Sequence, residues 1–268
     1  MSQLQRRFMS LLQKIKNRIF KETNSCFEIT SNIVSMIQNK NVEKEIYVSK
    51  TVIGVNNLVI LTLDDGSISK IPAENFNMAG LSIVIHGDNN TIEITSNTVF
   101  INCEAHLMGS NNKLVINKSK YQICNSLFLF GAFGNDRVIS IGNDFYGGAH
   151  FRLMEDNTSI TIGNNCTFSW NVLVMATDYH SILNGDKKVT NISKGIEIGS
   201  HVWVGCNSTI LKNVTIPSNS IIATGSVVTK SFTSENIIIG GNPAKIIKNG
   251  MEWDMEHPHK YMITRNNS

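Results

Sequence analysis

The chain has 268 residues, a formal net charge of +3, 41% hydrophobic and 17% charged residues. That length can bury a real core in one elongated domain or two small ones, and the near-balanced charge excludes a bulk electrostatic grip on nucleic acid. No apolar run is long enough for a spanning helix, which needs about 20 residues. Five cysteines without CxxC spacing (Cys26, Cys103, Cys124, Cys166, Cys206) read as buried thiols of a reducing, cytoplasmic compartment.

Residues 1–22 place Leu4, Phe8, Leu11, Ile15 and Ile19 three to four apart, which is helical spacing. Arg6, Arg7, Lys14, Lys16, Arg18 and Lys21 fill much of the remainder. The plainer reading is a helix packed on the body or on a neighbouring subunit; the sharper one is peripheral contact with a membrane surface. There is no continuous apolar core of a secretory signal. Residues 1–50 are therefore assigned to an N-terminal helical, accessory segment.

From residue 51 the chain is rich in Ile, Asn and Gly, the composition of short strands joined by tight corners. Gly54, Gly87 and Gly109 each open a Gly-x-Asn-Asn followed by an apolar alternation. "ISIGND" at 139–144 returns as "ITIGNN" at 160–165. Such echoes at a nearly fixed interval predict irregular early β-coils over 51–138 that either extend a prism or cap it.

The period then tightens to six. Ile162, Phe168 and Val174 are six apart, and so are Ile198, Val204, Ile210, Ile216, Ile222 and Val228. Small residues such as Cys166, Val202, Ser208 and Ser220 stand two before the next in the series. Six fits neither a helix nor a plain strand. It fits a parallel β-helix of triangular section, one inward apolar residue per side and three such hexads to a coil. Ile162 and Ile198 stand six hexads apart, which on this count is two whole coils. His180 falls in phase, one coil after Ile162, and the rhythm lapses through 181–197. That stretch is either a degenerate coil or a loop leaving the prism.

The segment "IEIGSHVWVGCNSTILKNVTIPSNSIIATGSVVTK", followed by "GGNPAKIIK", resembles the hexapeptide-repeat acyltransferases. "DYHSI" with "HVWVG" is most similar to the bacterial O-acetyltransferases of sialic acid and other capsule or lipooligosaccharide sugars. The resemblance is strong over 139–249, weaker over 51–138 and absent over 1–50. It implies an all-β-dominated, left-handed parallel β-helix, with an acetyltransferase domain at 139–232 and a C-terminal loop and tail at 233–268. It also implies a homotrimer with sites between subunits, acetyl-CoA as acyl donor, a sugar or glycan acceptor and no metal.

On the residues alone His180 is a corner histidine; the resemblance implies the general base. A sugar hydroxyl is a poor nucleophile at neutral pH, and imidazole is suited to removing its proton as it attacks a thioester. Asp178, two residues earlier, shares its side of an extended segment and is either the carboxylate that orients the ring, as in a catalytic triad, or a corner acid. Trp203 stands one residue before an inward position and so projects outward. The resemblance makes it the tryptophan that shapes the cleft, the alternative being subunit packing alone. Gly205, Ala223, Gly225 and Ser226 offer backbone to a pantetheine arm, and Lys230 and Lys245 offer charge to the CoA phosphates. His201 and Cys206 suggest a metal site, but a tetrahedral site wants a third ligand that the sequence does not supply.

Three functions follow from these residues. The first is transfer of acetyl from acetyl-CoA to a sugar hydroxyl by direct attack. The second keeps the fold and changes the acceptor to an amino sugar or an antibiotic-like small molecule. The third is a non-catalytic β-helix assembly module, which has no need of His180, Trp203 or "GNPAK" together.

Overall fold

The structure, a computed structural model, describes residues 49–266. The predicted N-terminal helix lies outside the described residues. From residue 50 onward short strands stack in parallel into three columns, one for each side of a prism.

The inward residues of each column are paired coil to coil. One face runs Ile83, Ala105, Phe128, Phe151, Val174, Ile210, Val228. The second runs Leu61, Ile94, Ile116, Ile141, Ile162, Ile198, Ile216. The third runs Phe100, Ile123, Gly147, Phe168, Val204, Ile222, Ile239. Residues six apart in the sequence therefore fall on successive faces, as the period predicts. The small residues Cys166, Val202, Ser208 and Ser220 are buried beside them.

The early coils continue the same columns and do not form a flatter cap. Their turns are longer, as the bonds between neighbouring coils show. Asn112 to Asn90, Arg137 to Asn112 and Asn143 to Asn164 span 22, 25 and 21 positions, against 18 for Ser200 to Ser218. The wider section is filled by phenylalanines. Phe128 stacks on Phe151 at 5.3 Å between centroids, and Phe145 meets Phe168 edge-on at 5.1 Å. From Ile198 the inward strand positions hold Val and Ile, and the coils from Ile198 to Ile216 and from Ile210 to Val228 are three regular hexads each.

Corners are made by asparagines with positive φ, among them Asn165, Asn171, Asn207 and Asn219. Asparagine visits this region at low cost because its amide bonds locally. Here the amides also stack, Asn171 donating to Asn207 at 2.7 Å. At another corner a Cβ on Gly163 would come within 2.6 Å of the Gly199 backbone, so glycine is required for the coils to close.

A polar ladder crosses the early core. Asn90 donates to Asn57, Asn112 to Asn90, and the Arg137 Nε to Asn112 at 2.9 Å. Arg137 is fully buried, and its remaining donors go to backbone carbonyls of Gly131, Phe133, Leu153, Met154 and Met108. Burial pushes its pKa down to about 10, which still leaves it charged at neutral pH.

Three expectations are corrected. Ile162 pairs directly with Ile198, so the chain between them is one coil plus an excursion, not two coils. His180 is exposed and does not occupy an inward slot, because the chain has left the prism after Ala176. The stretch taken as loop and tail contains a hairpin, Ile237–Gly241 with Ala244–Asn249, and a helix, Pro258–Asn266. This hairpin and a second one, Leu58–Thr62 with Ile68–Pro72, cover two ends of the columns that would otherwise present open strand edges.

Phe151→Ala should lower unfolding stability by about 3–5 kcal/mol in urea titration, because it empties a filled core position. Val55→Ala, at an exposed corner, should change it by less than about 0.5 kcal/mol.

Candidate functional site

The strand Thr167–Met175, whose later part belongs to the first face, ends at Met175, and the backbone then turns outward. Tyr179 has a φ of +61°, and the His180 N–H donates to the Asp178 carbonyl at 2.7 Å. A turn closed from i to i+2 with positive φ at a tyrosine is a strained conformation, kept only where its surroundings hold it. Those surroundings are specific. The Thr177 hydroxyl accepts from the Tyr179 N–H, and Asn191 donates to both the His180 carbonyl and the Asp178 carboxylate. Lys212, from the next coil, binds the Asp178 carboxylate and the Asn191 carbonyl. Leu183 and Val189 form a short antiparallel bridge that closes the excursion as a hairpin.

Asp178 thus serves the loop. Its carboxylate is held by Lys212 and Asn191, which keep its pKa below the usual value, the Lys212 hydrogen bond first. The imidazole of His180 makes no hydrogen bond to another described residue. His180 lines a groove of about 500 Å³ whose walls include Phe133, Met154, Glu155, Asp156, Thr177 and Asn191. Glu155 and Asp156 follow the neighbouring strand, and Thr177 donates to the Glu155 carboxylate at 3.1 Å.

Trp203 projects outward from the third face, 40% exposed, with Thr167 and Ile221 as its register partners. Within the chain it therefore lies on a different face from the later part of the strand that leads to His180. Trp253 folds back beside it, its ring 6.1 Å from Trp203 and stacked at 4.4 Å on His201, whose carbonyl accepts its indole N–H.

The donor-binding candidates divide into two groups. Gly205, Ala223 and Gly225 share one corner: Gly205 donates to Ile222, Gly225 to Cys206, and a Cβ on Gly225 would meet only open space. Backbone at Ala223 and Gly225 is approachable, which suits an extended amide-bearing arm, whereas Gly205 is buried and a Cβ on it would come within 2.6 Å of the Thr224 nitrogen. Ser226 is different. It is fully buried, its hydroxyl donates to Ala223 and accepts from Gly241, and it braces the corner from inside. Lys245 is exposed on the hairpin opposite Gly240, above this corner, whereas Lys230 lies past the first face with its ammonium over Phe232.

His201 Nδ1 is at 3.2 Å from Asn219 and Cys206 Sγ at 3.7 Å from Thr224. Among the described residues no group of three or more His, Cys, Asp or Glu is placed to hold a metal. Cys103 and Cys166 are buried thiols whose pKa burial raises to about 11. Residues that the sequence did not single out are Glu155, Tyr179, Asn191 and Lys212. Tyr179 and Asn191 belong to the excursion itself, whereas Glu155 and Lys212 come from neighbouring coils, Lys212 lying 34 positions from Asp178.

Residues 195–230 match the bacterial transferase hexapeptide family of six repeats. The polysialic acid O-acetyltransferase of Neisseria meningitidis is 31% identical over 183 residues, covering 67% of this chain and 82% of that protein. The polysialic acid O-acetyltransferase of Escherichia coli O1:K1 / APEC is 36% identical over 116 residues, 43% of this chain, and the match spans only 38% of that relative's length. The crystal structure of the polySia-specific acetyltransferase NeuO superposes with a TM-score of 0.55 at 25% identity, over 83% of this chain and 98% of that one.

The Asp178 clamp has a defined pH sense. A carboxylate with a depressed folded pKa contributes stability above its unfolded pKa and loses it as pH falls through the folded value. Asp178→Asn removes that contribution at every pH. Protection of residues 182–190 from hydrogen exchange, taken relative to the intrinsic rate at the same pH, should then be several-fold lower at pH 7, a loss the unaltered protein shows only in acid.

Proposed function

The chain belongs to the bacterial hexapeptide-repeat transferases, and on that premise we propose that it transfers acetyl from acetyl-CoA to a sugar hydroxyl. The acceptor class we assign is sialic acid within a glycan, in line with the named activities of the two relatives. The observation that carries the reading is His180, held by its backbone on a strained, cross-braced turn at a groove, with its ring unengaged.

In the proposed reaction the acceptor hydroxyl gives its proton to His180 as its oxygen attacks the thioester carbonyl. The tetrahedral oxyanion is held by a backbone N–H. Collapse breaks the carbon–sulfur bond, and the CoA thiolate takes the proton back from the imidazolium. The donor lies along the Gly205–Ala223–Gly225 corner with its phosphates near Lys245. Trp203 forms a wall of the cleft, and Asp178 anchors the loop through Lys212.

His180 and Trp203 sit on different faces of one protomer, so the reading requires a neighbouring copy to complete each site. Exposed Phe133, Trp170, Ile182 and Ile192 support such contacts, since apolar side chains of this size favour burial. We assign a homotrimer with three shared sites, working in the cytoplasm where the acyl donor is found.

The groove also favours a second acceptor. Its charged walls on this protomer are Glu155 and Asp156, which would attract the ammonium of an amino sugar and repel a sialic acid carboxylate unless a neighbour's cation meets it. A panel of free sialic acid, sialylated oligosaccharide, polysialic acid and neutral amino sugars separates O- from N-transfer by the product's lability to mild base.

His180→Ala should reduce acceptor-dependent CoA release by roughly 100- to 10,000-fold while acetyl-CoA still binds. Unchanged turnover would remove the base role and leave the assembly-module reading. In sedimentation the protein should run as a trimer at micromolar concentration, and Ile192→Asp should shift it towards monomer with loss of turnover.

A further inference from the structure

We propose that Glu155, and not Asp178, is the carboxylate that positions and steadies the His180 ring; the inference rests on the base role assigned above. Each carboxylate near the ring has a traceable partner set. Asp178 is saturated by Lys212 and Asn191. Asp156 accepts the Asn135 N–H at 2.5 Å. Glu155 accepts from Thr177 through Oε1, while its Oε2 is enclosed and has no hydrogen-bond partner. An enclosed carboxylate oxygen without a donor is costly, and such atoms in folded proteins ask for a reason.

The same groove holds the complementary deficit. The His180 ring has no partner among the described residues, yet its backbone is fixed at both N–H and carbonyl. His180, whose ring is unengaged, and Glu155, whose Oε2 lacks a donor, are lining residues of one groove. When His180 takes the acceptor's proton, both ring nitrogens become donors. One then bonds Glu155 Oε2 and the other still carries the transferred proton. Thr177 matters to this because its hydroxyl, donating to Oε1, fixes the carboxylate's rotation. Glu155 thereby favours the imidazolium and acts as a positioning residue.

The other charged or titratable groups around the ring do not substitute for it. Arg152, on the strand before Glu155, reaches the Tyr179 hydroxyl at 3.4 Å. Lys212 from the next coil is spent on Asp178 and Asn191. Tyr179 and Asp178 flank His180 on its own loop and face Arg152 and Lys212 respectively.

Crystal structures of the full chain at pH 5 and pH 8 test the pairing without any need for turnover. At pH 5 a ring nitrogen of His180 should lie about 2.6–3.2 Å from Glu155 Oε2; a ring left in solvent, or turned to Asp178, overturns the proposal. In kinetics, Glu155→Gln should lower kcat about 10- to 100-fold, leave the KM for acetyl-CoA within twofold, and move the acid limb of the kcat profile about one unit towards lower pH. Glu155→Asp should restore part of kcat and of the limb, and circular dichroism checks that both variants fold. A collapse with His180→Ala but an unmoved acid limb with Glu155→Gln refutes Glu155 alone. Absence of transfer by the unaltered protein refutes the assigned function and leaves the pH 5 structure to decide the pairing.

Discussion

Parallel stacking of coils governs everything else in this molecule. Each strand's N–H and C=O groups are satisfied by the coil above and the coil below, so a coil of the wrong shape leaves two neighbours unpaired. Each inward side chain must also fit between residues contributed from one coil away, at close-packed density. The result is a body with little freedom: Phe128 on Phe151 and Ile198 on Ile162 fix register along the whole prism. Only the corners can vary, since a corner residue bonds its counterparts but need not fill the core.

The excursion at 177–195 exploits that freedom. Ile160–Ile162 pair straight across to Ile196–Ile198, so the columns close beneath the loop as though it were not there. Rigidity is then returned to the loop selectively. Lys212, planted on a coil below, reaches out to Asp178 and the Asn191 carbonyl, and Asn191 relays that grip to His180. The backbone at His180 is thereby tied to the prism, while its ring makes no hydrogen bond to another described residue. Such a division suits the proton transfer proposed for His180.

The period of six is a packing rule written in single residues, which is why the columns could be read from Ile198 to Val228 without coordinates. Where coils widen to hold phenylalanine the rule stretches and turns uneven, and the eye loses it although the columns continue unbroken. His180 stood out because it broke a pattern. Glu155 and Lys212 did not, because each sits at an ordinary corner or coil position, and nothing local in "LMEDN" or "ILKNV" marks it. Their significance comes from stacking distance, which sequence spacing hides. Ser226 shows the converse error: a small polar residue in a promising motif is small because it faces inward.

The same geometry explains why Asp178 was the natural candidate and why its chemistry lies elsewhere. Residues two apart share a side only while the chain stays extended. At Tyr179 it does not: a positive φ reverses the direction between Asp178 and His180 and sends their side chains to different partners. The acid goes to Lys212, where an ion pair with 15% and 33% exposed partners gains from partial shielding. His180 lines a groove that Glu155, from the coil before its own, also lines. A strained turn thus separates two groups that the sequence places together, and stacking joins two that it places apart.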